Sequence, residues 1–287
     1  MDIVTTDRVE DILVSDESVY LTDKSISLND KTNLRVFDKE IQEVSQTINK
    51  QLHDCTVAEI VQIAKSGKAR NVFTIGDYTA INLTQFTLDK TVIPSGTYYA
   101  ILIGIDHNSV YEGTNRLHFQ LAKTVSNIDI AFNYARMNET SSNVGGWKDS
   151  KMREYIQSVY NALPIEWREA IVPQNKYTDN TGNNTNIEGN ISVTTDRIFL
   201  LSEYEVVGKR TNANQYEMNK QQQYEYYALG NSRIRYSHAD TSTIIYWWTR
   251  SPNYTSATRF CLINNGGNSG RGNGNANSGV APCFVVG

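Results

Sequence analysis

The apolar positions between Met152 and Leu163 recur at helical spacing. Met152, Tyr155, Ile156, Val159, Tyr160 and Leu163 fall at i, i+3, i+4, i+7, i+8 and i+11, a full stripe for one buried helix face. Pro164 ends it, and Ile165 to Ile171 predicts a further turn. A shorter helix is predicted after Thr56, which forms a capping box with Glu59. It runs through Ile60, Val61 and Ile63, with Gly67 placed to stop it. Leu34, Phe37, Ile41, Val44 and Ile48 predict an amphipathic helix from Asn33 to Leu52. That face serves either packing on its own domain or docking onto another subunit, and its heptad run is too short for a coiled coil.

Strand patterns fill much of the remainder. Val72, Phe73, Ile75, Tyr78, Ile81 and Leu83 predict strand between Asn71 and Leu88. Thr97 to Ile105 is almost continuously apolar and predicts a buried strand. Leu117 to Leu121 reads as a strand carrying a core histidine, His118, and Asp106 and Asn108 suit a turn. Tyr177 to Ser192 is polar and predicts a long exposed loop. Arg197 to Leu201 predicts a strand running into a second capping box, Ser202 with Glu205. Gln221, Gln222 and Gln223 are expected exposed, with Tyr224, Tyr226 and Tyr227 packed beside the core.

The C-terminus has a different texture. Two apolar anchors, Tyr246 to Ile263 and Val280 to Val286, enclose an insert of Asn, Gly and Ser. Gly270, Gly272, Gly274, Ala276 and Ser278 occupy one parity; Arg271, Asn273, Asn275 and Asn277 occupy the other. An extended chain sends alternate side chains to opposite faces. By composition the insert reads as a flexible Gly/Asn loop; by its strict alternation it reads as an ordered surface in which the small residues lie against the body of the protein and Arg and Asn point outward. Asn264, Asn265, Asn268 and Ser269 are expected beside them, with Asn253, Tyr254, Ser256 and Thr258 extending the patch. These twelve are the candidate ligand-binding residues, and Trp247 and Trp248 with Phe284 to Val286 are expected in one central sheet.

Charge and composition narrow the partners. Net charge is −4 with no basic patch, which argues against nucleic acid. No apolar run approaches a membrane span, so no membrane insertion is expected. Residues 1–7 show neither the charged nor the apolar region of a secretory signal peptide. Three cysteines, Cys55, Cys261 and Cys283, make no disulfide framework and suggest synthesis in a reducing cytoplasm.

Trp247-Trp248-Thr249-Arg250-Ser251-Pro252, the Asn/Gly/Ser tract and Gly279-Val280-Ala281-Pro282 resemble the end of C-type-lectin-like domains of bacterial, prophage and phage tail proteins. The likeness covers roughly the last two thirds of the chain. Some members are variable proteins of diversity-generating retroelements, akin to the phage major tropism determinant, in which C-terminal codons are randomised at adenines. An Asn codon so randomised never yields Lys, Glu, Gln, Met or Trp, and none of these follows Trp248. The Asp106-His107-Asn108 and His118-Phe119-Gln120 segments recur in the family and are expected to define the fold.

The resemblance implies an α+β, C-type-lectin-like fold of the formylglycine-generating-enzyme variant. It implies an attachment or oligomerisation segment at 1–54 and a ligand-binding domain at 55–287, with a variable-type region at 247–287. The expected function is a phage or prophage tail-fibre adhesin, located in the virion and binding a host-surface protein or glycan. Residues 1–54 would face a tail or baseplate component, and a homo-oligomer such as a trimer fits this role.

Two other readings weigh less. Formylglycine-generating oxidases use a C-terminal cysteine pair to hold copper, and Cys261 and Cys283 are the candidates. Both sit in apolar surroundings typical of structural cysteine, and no catalytic motif accompanies them. A non-variable structural tail protein is the other. Calcium is not expected: the Glu-Pro-Asn and Trp-Asn-Asp motifs of calcium-dependent lectins are missing, and the insert holds no carboxylate. No cofactor and no metal are therefore expected, and the protein is read as a binding module rather than an enzyme.

Overall fold

The C-terminal sequence turns back on itself several times, and each reversal lands in a ladder. The computed structural model describes residues 11–14, 17–20, 50–122, 124–125, 128–181 and 186–287. The chain divides into two units, Met1–Lys50 and Gln51–Gly287. In the first, Asp11–Val14 and Glu17–Tyr20 pair as an antiparallel hairpin. The helix predicted from Asn33 lies outside the described residues except for its end, which enters a single 3-10 turn at Leu52–Asp54.

The second unit is a mixed α+β structure, mostly sheet with few helices. Strands β1 (Tyr78–Leu83), β2 (Gly96–Ile105) and β3 (Leu117–Ala122) belong to a four-stranded antiparallel sheet. The larger sheet takes β4 (Ile128–Ala135) at its middle. Between them in sequence and the larger sheet's other strands lies a hairpin of β5 (Gln174–Asp179) and β6 (Ile191–Asp196). The larger sheet then adds β7 (Arg235–Ser237), β8 (Ile244–Ile245), β9 (Trp247–Pro252), β10 (Arg259–Ile263), β11 (Ser269–Asn273) and β12 (Ser278–Val280). Its path is β8-β7-β4-β12-β9-β10-β11, with Thr124–Val125 paired to β4. Pairs β7–β4 and β9–β12 are parallel; the others are antiparallel.

The C-terminal strand β13 (Cys283–Val286) joins the four-stranded sheet beside β3, not the sheet of the tryptophans. This corrects the expectation that both anchors share one sheet. Pro282 follows β12 and has no N–H to continue a ladder. Its carbonyl instead accepts the Leu121 N–H at 2.7 Å, and the chain crosses between sheets there.

The helical stripe is present with a break. Helix α1 (Val57–Lys65) starts on the Thr56/Glu59 capping box. Helices α2 (Lys151–Tyr155) and α3 (Gln157–Ala162) meet at Ile156, where the turn tightens and the Val159 N–H reaches the Ile156 carbonyl. Met152, Ile156 and Val159 are buried, whereas Tyr155 is only half-buried. Helix α4 (Ile165–Ala170) is the further turn.

Other expectations need revision. Ala69–Val72 is a helical turn rather than strand. The loop predicted over Tyr177–Ser192 overlaps both strands of the β5–β6 hairpin, and Thr178 and Asp179 are buried. Arg197 to Leu201 is not a strand: Phe199 makes one bridge to Cys283, and Ile198 to Leu201 are buried whole. Gln221 is buried, not exposed, because its amide joins the Ser202 hydroxyl (2.5 Å) to the Tyr177 carbonyl (2.5 Å).

Candidate binding face

Strand β10 pairs with β11 so that Cys261 faces Arg271, Leu262 faces Gly270 and Arg259 faces Asn273. The glycines lie on the packed side. A Cβ on Gly270 would stand 2.9 Å from Leu262 Cδ1, and one on Gly272 would stand 2.8 Å from Trp248 Cη2. On Gly274 it would meet the Ser142 carbonyl at 2.5 Å. Such spacing is closer than carbon atoms tolerate, so backbone alone fits. The other parity is exposed at Arg271 and Asn273, where the Asn273 side-chain oxygen accepts the Arg259 Nε–H at 3.4 Å. Strand β11 ends there, and Asn275 and Asn277 are exposed on the turn that follows rather than on an extended strand.

The predicted site residues divide into three groups. Asn265 and Asn268 are exposed with that row. Asn264 serves the turn, its side-chain oxygen accepting the Gly266 and Asn268 N–H groups at 2.9 and 3.1 Å. Ser269, Tyr254, Ser256 and Thr258 are half-buried. The Ser269 hydroxyl donates to Glu203 and accepts from the Asn212 amide at 2.7 Å. Ser256 and Thr258 bond each other at 3.0 Å, and Arg210 lies 4.0 Å over the Tyr254 ring.

Asn253 is a correction: it is fully buried and not surface-displayed. Its amide donates to the Asn212 carbonyl at 3.1 Å, and its side-chain oxygen accepts the Thr255 hydroxyl at 2.8 Å. A polar group with partners on two segments is a structural clamp.

A buried carboxylate fixes the neighbouring loop. Helix α5 (Glu203–Val207) begins on the Ser202/Glu205 capping box. Glu203, buried on its first turn, accepts the backbone N–H groups of Thr211, Asn212 and Ala213 at 2.8–3.0 Å. Together with Ser269, it ties residues 211–213 to the display hairpin.

Beneath lies a charged core. Arg250 on β9 gives Glu205 two bonds of 2.5 and 2.9 Å and also reaches the Leu200 carbonyl and the Thr178 hydroxyl. Burial alone raises the Glu205 carboxyl, but Arg250 and Lys176 outweigh it and hold it down at about 2. Glu217 lacks such a cation bond and burial pushes it up to about 8; burial likewise lifts Asp179 to about 6. Among the described residues, His107, Glu112 and Glu205 bring potential metal ligands together. The Lys176 ammonium lies 2.8 Å from Glu112 and 3.6 Å from Glu205, so a fixed cation already balances them.

The cysteines stand apart in topology. Cys261 is in β10 and Cys283 in β13, on different sheets, and burial raises both thiols well above their usual range.

A family model describing a domain of unknown function, DUF6273, matches residues 121–287, more than half of the chain. The chain belongs to the DUF6273 family. The matched span holds the described strands of the larger sheet together with β13, so it includes the display hairpin and its support. No curated protein and no solved structure matches the chain.

Sequence reasoning missed Glu203, Arg210 and two tyrosines, Tyr134 and Tyr246, that flank a shallow cleft beside Asn265 and Asn277. Tyr246 carried a signal. Ile245, Tyr246 and Trp247 run in, out, in, which leaves a large aromatic at an outward position. Glu203 carried none, because nothing local marks which loop a carboxylate will hold.

Proposed function

We propose that this DUF6273 chain is a recognition module with a C-type-lectin-like fold, binding a host-surface ligand through its C-terminal face without calcium. The observation that carries this reading is the β10–β11 hairpin. Gly270 and Gly272 leave no room beneath, while Arg271 and Asn273 on the hairpin, and Asn275 and Asn277 on the turn after it, are exposed. A backbone pinned on one side and unconstrained on the other permits side-chain change without loss of fold. Asn and Arg supply adaptable hydrogen bonding for such a surface.

In this reading the protein is a diversified adhesin at the tip of a phage or prophage tail. The ligand is a host protein or glycan, and residues 1–54 face the tail, with self-association as a trimer a compatible state. The topology of the cysteines favours this reading over the copper oxidase one, since each thiol is buried in a separate sheet. Sequencing the DNA around the gene tests it. A near-repeat of the 3′ end differing at adenines, beside a reverse transcriptase gene, is expected; uninterrupted DNA without either would remove the diversification from the account.

A further inference from the structure

The cleft beside the display row has a lining unlike the rest of that face. Tyr134 from the end of β4 and Tyr246 from the β8–β9 link stand at it, and both are exposed, by 38% and 48%. Asn265 and Asn277 stand there too, exposed. Thr243, Ile244, Ile245 and Ser278 complete the lining, and no residue of the cleft carries a formal charge.

The floor is rigid. A Cβ on Gly279 would lie 2.8 Å from Ile245 Cδ1 and 2.9 Å from Ala131 Cβ. The Gly279 N–H bonds the Tyr246 carbonyl at 2.7 Å, so β12 holds the backbone that presents the Tyr246 ring. The cleft is open and encloses about 270 Å³.

Each feature selects a ligand class. A lining without charge gives a phosphate, a carboxylate or an ammonium nothing to pair with. Exposed aromatic rings offer an apolar face with a polar rim, which suits the C–H face of a pyranose. Asn carries both a donor and an acceptor, as paired hydroxyls require. The volume lies just below the roughly 300–1,000 Å³ of ordinary ligand pockets, which suits a small ligand such as a single sugar ring. A protein partner instead needs about 800 Å² of surface on each side, which a cleft of this size does not supply alone.

We infer that this cleft binds a neutral glycan, with Tyr134 and Tyr246 as the stacking platform and Asn265 and Asn277 as the hydrogen-bonding walls. This rests on the recognition reading and names its ligand class. It also divides the labour along the sequence. The tyrosines lie outside the variable-type region 247–287 and the asparagines inside it. Diversification would then retune which hydroxyls are read while the platform stays.

The test is titration of the full chain with free glucose, galactose, mannose, N-acetylglucosamine and N-acetylgalactosamine, followed by NMR chemical shifts. Attachment to host cells is measured in parallel. At least one sugar is expected to bind saturably with a Kd on the order of 1 mM, the scale for a small ligand on an open site. Binding should weaken at least tenfold in both Tyr246→Ala and Tyr134→Ala, and stay unchanged in Leu229→Ser, which alters an exposed side chain outside the cleft. Using two tyrosine variants keeps the test decisive if one fails to fold. Attachment without response to any of the sugars would overturn the glycan inference and leave the recognition reading standing. Sugar binding that survives both tyrosine variants would overturn the placement in this cleft. Absence of both attachment and sugar response in the unsubstituted chain would overturn both readings.

Discussion

Gly272→Ala is the sharpest probe of how the display hairpin is held. The added methyl would stand 2.8 Å from Trp248 Cη2 and 3.0 Å from Leu262 Cδ2. Trp248 is fully buried and its indole N–H is tied to the Ala135 carbonyl at 2.9 Å, so the ring has little freedom to retreat. Overpacking of this kind costs about 1–3 kcal/mol. Against it stands a gain of about 0.4–1 kcal/mol from the stiffer unfolded chain. The two together leave a net loss of roughly 0–2.6 kcal/mol, centred at about 1.3 kcal/mol, or a fall in Tm on the order of 3–5 °C for a domain of this size. Thermal and urea melts of Gly272→Ala would be compared with Asn273→Ala, one residue away on the exposed parity, which should change stability by about 0.5 kcal/mol or less. A stabilising Gly272→Ala would mean that the hairpin floats above Trp248 and that the alternation has no packing role.

Three further outcomes are expected. Glu217 is protonated in the folded chain where the unfolded chain is already ionised, so stability should fall as pH rises from the ordinary carboxylate value of 4.5 to about 8. Glu217→Gln copies the protonated form; urea melts should show little change near the acidic end and a gain of up to roughly 5 kcal/mol above that window, and an unchanged pH slope would place the proton elsewhere. Glu203→Ala strands three loop N–H groups and should cost roughly 2–4 kcal/mol, with faster hydrogen exchange at Thr211, Asn212 and Ala213; unchanged exchange would show that the carboxylate is dispensable. With a thiol reagent, native protein should expose Cys55, which is only part-buried, while Cys261 and Cys283 react after unfolding; prompt reaction of all three would contradict the burial described.

Local patterns carried much of the architecture. Both capping boxes, the buried positions Met152, Ile156 and Val159, and the outward parity of Arg271 and Asn273 were legible because each depends on neighbours within a few residues, whereas Asn275 and Asn277 are exposed on a turn and not on the extended chain expected of them. The failures share a cause. Pro282 moves β13 to the other sheet, Gln221 is drawn inward by Ser202 and Tyr177, and Asn253 is claimed by Asn212. In each case a partner remote in sequence, or a missing N–H, decided the outcome over local composition. The same holds for the cleft, since Tyr134 and Tyr246 are brought beside Asn265 and Asn277 by the order of strands in the larger sheet.

The central claim is that the outward row recognises and does not support. Its most direct test is one variant carrying Ala at Arg271, Asn273, Asn275 and Asn277, leaving Asn253, Asn264 and Asn268 in place for their structural bonds. Tm and attachment to host cells are measured on the same preparation. The account predicts a Tm close to the parent's and attachment that is lost or redirected. A parent-like Tm with unchanged attachment would contradict it and move recognition off this face.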